Sequence, residues 1–148
     1  MNTKLFLVCP FSCMENFIRE KYGDDVFFIT AMGAVFQLNE TEYLKSVKDF
    51  IERENITEIF VASDASCRFI NNALKNELNY GMYSESVIQK LLKDNYALVM
   101  IEKTIDEQQI KLAELIVNHQ ATELKKPHCL QQQIIQNKII IKELITSK

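Results

Sequence analysis

The hydrophobic positions along the chain follow two patterns, short continuous runs and longer stripes at helical spacing. Four runs of strand length are apolar at nearly every position, and they cover residues 4–9, 26–31, 57–62 and 96–101. Continuous apolar runs of this length are typical of strands that are covered on both faces, as in a parallel sheet. We therefore predict a strand at each of these four places.

Helical stripes lie between and after these runs, over residues 43–51, 69–78, 87–92 and 106–126. The polar segment 39–42 resembles a capping box and predicts the start of the first helix. Pro127 is expected to stop the longest helix or to open the next one at its first position. The run 138–145 predicts a late strand at a sheet edge, where its lysines would discourage unwanted pairing.

The alternation of strands and helices predicts the fold class. Strand, helix, strand, helix in this order is typical of an α/β domain with a mainly parallel sheet flanked by helices. The length of 148 residues suits one domain over the whole chain, 1–148. We find no linker, repeat or low-complexity tract that would divide it.

The composition of the chain indicates which binding partners and which cellular compartment are expected. The chain has 17 Lys and Arg against 20 Asp and Glu, a net charge of −3, whereas nucleic-acid binders usually carry a basic surplus. No apolar run approaches the roughly 18 residues of a membrane span, so neither nucleic acid nor a membrane is an expected partner. The 4 cysteines are too scattered for a secreted disulfide framework. We therefore expect reduced thiols in the cytoplasm.

Candidate chemistry lies at the ends of two predicted strands. Cys9 and Cys13 follow the first strand, and Asp64 and Cys67 follow the third. Ligands of parallel sheets bind beyond the carboxyl ends of the strands, so these thiols and the carboxylate are expected at one edge of the sheet. The chain carries no glycine-rich phosphate loop and no HExxH or GxSxG motif.

These two segments resemble the β-class carbonic anhydrases, a family with C-x-D-x-R after its first strand and H-x-x-C after a later one. Cys9 falls on the first cysteine of the family and Cys67 on the second. Segments 25–35 (with Gly33 retained), 46–62 and 124–145 also look like family segments, in the same order. The resemblance implies the family's fold, a homodimer, and a zinc ion held by two cysteines and a histidine.

The motif residues depart from the family's pattern. Phe11 stands at the position of the motif aspartate and Cys13 at that of the arginine, and Asp64 replaces the histidine. Arg68 follows the second cysteine where the family usually has glycine. The family's aspartate and arginine orient the zinc-bound water, so the resemblance implies that this pair is lost here.

The replacements favour a degenerate site over an active one. Cys9, Asp64 and Cys67 are possible zinc ligands, but together they carry three negative charges and should acidify a bound water less than a set with a neutral histidine. We therefore predict absent or very weak carbonic anhydrase activity and a binding or scaffold role. The alternative is a zinc-dependent carbonic anhydrase, or an altered hydratase or lyase, that uses these three ligands.

Structural roles for the same residues remain open. Packing as a small hydrophobe explains Cys9, capping of a helix explains Asp64, and packing in that helix's first turn explains Cys67, and we favour these structural roles over a metal site. Arg68 is expected to neutralise Asp64. Cys13 is expected to pack, with a closed four-ligand zinc site or a low-pKa thiol as alternatives. A thiol-redox role for Cys9 and Cys13 ranks last, because their spacing is CxxxC and not CxxC.

Overall fold

The computed structural model describes residues 2–77 and 81–147, so Leu78, the last residue of the second predicted helical stripe, lies outside the described residues. The elements are β1 Lys4–Val8, α1 Glu15–Tyr22, β2 Val26–Thr30, α2 Thr41–Arg53, β3 Glu58–Asp64, α3 Arg68–Leu74, α4 Tyr83–Asp94, α5 Tyr96–Met100, α6 Ile105–Leu124, α7 His128–Gln136 and β4 Ile140–Thr146.

A parallel sheet in the order β2-β1-β3-β4 forms the centre of the fold. Leu5 of β1 lies opposite Phe27 of β2 and Ile59 of β3, and every pair of neighbouring strands runs in the same direction. β4 lies at one edge, where Lys142 Nζ donates to Glu58 Oε1 at 3.0 Å. The predicted α/β class, the parallel sheet and the late edge strand are confirmed.

The two faces of the sheet explain why the strand sequences are apolar at successive positions. Leu5, Leu7, Ile59 and Val61 point to one face and pack in the larger core with residues of α2, α3, α4, α6 and α7. The alternate residues, among them Phe6 and Phe60, join a smaller core beneath α1. Because successive strand side chains point to opposite faces, a strand that is covered twice shows no alternation in its sequence.

The segment 96–101 is a correction to the sequence analysis, because it forms α5 and not a strand. The backbone N–H of Val99 donates to Asn95 O at 3.1 Å, and that of Ile101 donates to Ala97 O at 3.0 Å, which are helical hydrogen bonds. Val99 is buried while Tyr96 and Leu98 are exposed. A short run that is apolar throughout has no period, so its pattern cannot distinguish a strand from a helical turn.

The helix α1 was missed, because its sequence carries too few apolar residues to form a visible stripe. Ile18 is its buried residue, and the Tyr22 ring lies 5.1 Å from the Phe6 ring across the smaller core. At α2, the side chain of Glu40 accepts hydrogen bonds from the backbone N–H groups of Glu42 and Tyr43, so the polar start predicted for this helix is confirmed. In residues 2–77 and 81–147, no helix is long and apolar enough to cross a membrane.

The smaller core gives a stability prediction. Phe6 is 0% exposed and stacks on Phe60 with ring centroids 4.5 Å apart. Phe6→Ala is expected to lower the free energy of unfolding by about 3–5 kcal/mol, because it removes a buried ring and leaves a cavity. Urea denaturation measures this change. Phe17→Ala, on the exposed side of α1, is the matched control and should cost far less; equal losses would contradict the packing described here.

Candidate functional site

The parallel pairing of β1 and β3 brings two distant thiols together at the carboxyl end of the sheet. Cys9 follows β1 directly, and Cys67 lies three residues beyond the end of β3. The two side chains lie next to each other and interact, and they are 3% and 5% exposed. Residues 58 apart in sequence therefore form one buried thiol pair, Cys9 with Cys67.

The turn Met32–Ala34, which follows β2, closes over this thiol pair. The backbone N–H of Gly33 donates to Cys9 Sγ at 3.2 Å. Gly33 has φ +68°, and a Cβ atom at this position would lie 3.0 Å from Ile88 Cδ1 and 3.4 Å from Ser84 Cβ. The left-handed backbone and the close approach of α4 both favour glycine here.

The pKa values of the two thiols shift in opposite directions. The hydrogen bond from Cys67 lowers the pKa of Cys9 to about 6, against the opposing effect of burial, and the backbone N–H groups of Phe11, Gly33 and Ala34 lower it further. The pKa of Cys67 is raised, first by its hydrogen bond to Cys9 and then by burial and the neighbouring negative charge. At neutral pH the pair therefore consists of a Cys9 thiolate in a group of N–H donors and a Cys67 thiol.

Asp64, which the sequence analysis predicts to stand in place of the family's histidine, is buried at 2% exposure and has partners for both carboxylate oxygens. Its Oδ1 accepts from Ser66 N at 2.8 Å and also from Ser66 Oγ. Its Oδ2 accepts from Thr146 Oγ1 at 2.6 Å. Asp64 thus caps the turn after β3 and ties it to the end of β4. It is not the N-cap of α3, a position that Cys67 occupies.

Arg68 does not neutralise Asp64, in contrast to our expectation. Its guanidinium carbon lies 5.1 Å from the centroid of the Phe11 ring, and that ring lies 6.2 Å from the ring of Phe69. Asp64 is satisfied by neutral hydroxyl and amide donors, so the arginine is not needed as its counter-ion. Phe11 and Arg68 form a cation–π contact with each other.

Cys13 lies apart from the buried thiol pair. It is exposed, adopts φ 53°, and its Sγ is 4.0 Å from Phe11 O. Since Cys9 is buried and Cys13 is exposed, the geometry gives no support to a redox pair of these two residues.

In this structure the candidate donor groups are not arranged as a zinc site. A zinc site requires three or four protein ligands. Within residues 2–77 and 81–147, no group of three or more His, Cys, Asp or Glu side chains is placed to hold a metal. Cys9 and Cys67 supply two sulfur atoms, while both oxygens of Asp64 are already engaged. The set Cys9, Asp64 and Cys67 stays a prediction, and it would require Asp64 to exchange its partners for the metal.

A second feature of this region was missed by the sequence analysis. A cavity of about 360 Å³ lies beside the turn Met32–Ala34, and Tyr43 and Ser84 are among the residues that line it. Tyr43 appeared in the sequence as part of an ordinary helical stripe, and Ser84 carried no signal. Tyr43 and Ser84 are related only because they line the same cavity, and no sequence spacing predicts that relation.

Comparison with solved structures identifies the fold. The chain aligns with a TM-score of 0.83 to a β-carbonic anhydrase of Sordaria macrospora, with 14% identity over 99% of this chain and 76% of that one. This chain has the β-carbonic anhydrase fold. The β-carbonic anhydrase CafD of Aspergillus fumigatus gives a TM-score of 0.81 at 17% identity, covering 100% and 85% of the two chains.

The β-carbonic anhydrase fold is found again in an enzyme of Coccomyxa, whose structure contains acetazolamide. The TM-score is 0.75 at 15% identity, with 99% of this chain and 68% of that chain covered. No protein-family model matches the chain, and no curated protein sequence is significantly similar to it. The resemblance proposed from the sequence is therefore confirmed in the fold, while identities this low carry no statement about activity.

The thiol pair predicts how stability depends on pH. The pKa of Cys9 falls from 9.0 to about 6 on folding, so between these values the unfolded chain binds more protons than the folded one. The free energy of unfolding should therefore rise from about pH 6 to about pH 9. Above about pH 9 the free energy of unfolding should fall again, because the raised pKa of Cys67 lets the folded chain keep a proton that the unfolded chain loses.

Urea denaturation at several pH values measures this dependence. Cys9→Ser should flatten the rise, whereas Cys13→Ser, at an exposed cysteine, should retain it. An unchanged slope in Cys9→Ser would show that Cys9 does not carry the thiolate.

Proposed function

We propose that this protein is a β-carbonic-anhydrase-like protein that does not hydrate CO2 and acts in binding or as a scaffold. The observation that carries the proposal is the state of Asp64. It stands where the family has its histidine ligand, and its two oxygens accept hydrogen bonds from Ser66 and Thr146. A buried carboxylate whose two oxygens already accept hydrogen bonds would have to give up these partners before it could bind a metal.

The loss of the water-positioning pair supports the same proposal. Phe11 cannot accept a hydrogen bond, and the thiol of Cys13 accepts only weakly. Positioning and charge stabilisation of this kind are typically worth several kcal/mol of barrier, on the order of a thousandfold in rate. Even with zinc present, the chain would lack the acceptor that orients the attacking water in the family.

Stopped-flow measurement of CO2 hydration tests the proposal. The purified protein, after incubation with zinc, should show no turnover above the buffer rate. Robust turnover would refute the proposal.

A reconstruction tests the fold-based placement of these residues. The triple variant Asp64→His, Phe11→Asp and Cys13→Arg should bind more zinc than the wild type, because it restores the third ligand and the positioning pair. Elemental analysis after dialysis measures the zinc content. Asp64→Asn is the matched control, since it disturbs the same hydrogen bonds without adding an imidazole. A triple variant that binds no more zinc than Asp64→Asn would contradict the placement.

A residual zinc enzyme is the second candidate function, and the contact between Cys9 and Cys67 favours it. A cysteine thiolate is the form that binds metal, and the lowered pKa of Cys9, about 6, makes this form available at neutral pH. In this alternative Cys9, Asp64 and Cys67 hold zinc, and the enzyme is a carbonic anhydrase or an altered hydratase or lyase. Stoichiometric zinc in freshly purified protein would favour this alternative, and its absence would exclude it.

The proposal includes a homodimer in the cytoplasm. Large apolar side chains are exposed on the single chain, with Ile101 at 76% and Ile135 at 69%, and an oligomer would cover part of this surface. The Sordaria macrospora proteins of this fold are described as tetrameric. Light scattering coupled to size-exclusion chromatography measures the mass directly, and a mass near 17.2 kDa would contradict the oligomer.

A further inference from the structure

The backbone at the ends of β1 and β3 holds the thiol pair in place. After β3 the chain turns back at once, because the backbone N–H of Cys67 donates to Asp64 O at 3.0 Å. Cys67 therefore stays beside the end of β3, where it is the N-cap of α3. Cys9 directly follows the neighbouring strand β1, and its side chain lies next to that of Cys67.

The position of Gly33 supports the same placement through separate contacts. Its backbone N–H donates to Cys9 Sγ at 3.2 Å. A Cβ atom on Gly33 would lie 3.5 Å from Cβ of Phe69, which belongs to the first turn of α3. The sulfur of Cys9 thus borders the glycine that packs on the beginning of α3, the helix that Cys67 caps.

Two short turns cover the thiol pair. They are Pro10–Ser12 and Met32–Ala34, and both carry exposed side chains, with Phe11 at 49% and Met32 at 37%. Cys9 is also among the residues that line a surface cavity of about 280 Å³. Short segments at the surface open locally at a much lower free energy than the whole domain. We therefore expect a small oxidant to reach the pair while the sheet stays folded.

The spacing of the cysteines in the sequence favours a different pair from the one that the fold brings together. In an unfolded chain Cys9 meets Cys13 most often, because the loop between them is short and closing it costs little entropy. In the folded chain Cys13 is exposed, whereas Cys67 is buried beside Cys9. The pairing of Cys9 on oxidation therefore reports whether the fold selects its partner.

We propose that Cys9 and Cys67 are a redox-sensitive site, in which a peroxide converts the two thiols into an intramolecular disulfide. The Cys9 thiol first takes one oxygen atom from the peroxide, which gives a sulfenic acid and one water molecule. The sulfur of Cys67 then attacks the sulfur of Cys9. The S–S bond forms, the S–O bond breaks, and the hydroxyl group leaves with the Cys67 proton as a second water molecule.

The two sulfur atoms together give two electrons to one peroxide molecule in this sequence. A dithiol reductant reverses it by thiol–disulfide exchange, with oxidation of the reductant. The inference rests on the proposed function, because a zinc ion bound to both sulfur atoms would keep them from forming the disulfide. The oxidised pair, in turn, offers no thiolate to a metal.

Peptide mapping after oxidation tests the proposal. The purified protein is reduced, freed of metal with a chelator and treated with hydrogen peroxide, and the remaining thiols are alkylated before proteolysis. We expect a loss of the mass of two hydrogen atoms and one cross-linked pair of peptides that contains Cys9 and Cys67. A disulfide between Cys9 and Cys13, or unlinked Cys9 and Cys67, would overturn the proposal.

The same oxidation in concentrated urea is the control for the effect of the fold. The unfolded chain should give mainly the disulfide of Cys9 with Cys13, whereas the folded chain should give that of Cys9 with Cys67. Identical pairing in the two samples would show that the fold does not select the partner of Cys9, and this would contradict the proposal.

Cysteine variants test each residue separately. Cys13→Ser and Cys129→Ser are the matched controls and should form the cross-link as the wild type does. Cys67→Ser and Cys67→Ala should lose it and should accumulate a sulfenic acid at Cys9, which dimedone traps. Loss of the cross-link in Cys13→Ser would overturn the proposal, because the exposed cysteine would then be required.

The two proposals fail in distinguishable ways. Zinc content and CO2 hydration test the proposed function, whereas the peptide map of metal-free protein tests the thiol pair. Turnover of CO2 in a chain that forms the cross-link would refute the proposed function alone. A missing cross-link in a chain without turnover would refute the redox-sensitive site alone.

Discussion

The parallel pairing of β1 with β3 is the constraint on which both the fold and the candidate site depend. It aligns Leu5 with Ile59 and places the ends of both strands at one edge of the sheet. The chain leaves the two strands there through segments that carry Cys9 and Cys67. The thiol contact is therefore a consequence of strand register, which the buried strand faces fix.

The candidate site satisfies its charges internally. The Cys9 thiolate is balanced by the Cys67 thiol and by backbone N–H groups, and Asp64 is balanced by Ser66 and Thr146. Each negative group thus has donors within the protein, which makes its burial tolerable without a bound cation. The turn Met32–Ala34 contributes to this balance through the backbone N–H of Gly33. It also lies beside the cavity that Tyr43 and Ser84 line.

Much of the fold was predictable because its core elements carry strong local patterns. The strands β1, β2, β3 and β4 coincide with dense apolar runs, and α2 and α6 coincide with long stripes at helical spacing. The buried positions of these elements can therefore be predicted from the sequence. The failures have a common cause. The segment 96–101 is apolar without a period, and α1 has few apolar residues, so the competing structures have similar local preferences and tertiary packing decides between them.

The sequence by itself determined the order of the apolar runs and the resemblance to the β-carbonic anhydrases, which predicts that Asp64 stands in place of a histidine and Phe11 and Cys13 in place of a charged pair. Only the tertiary structure decided what those residues do. Thr146, which is 82 residues away, occupies one oxygen of Asp64, and Arg68 lies on Phe11 and not beside Asp64. Residue types are local properties of the chain, whereas hydrogen-bond partners and cavity walls arise between segments that meet only after folding.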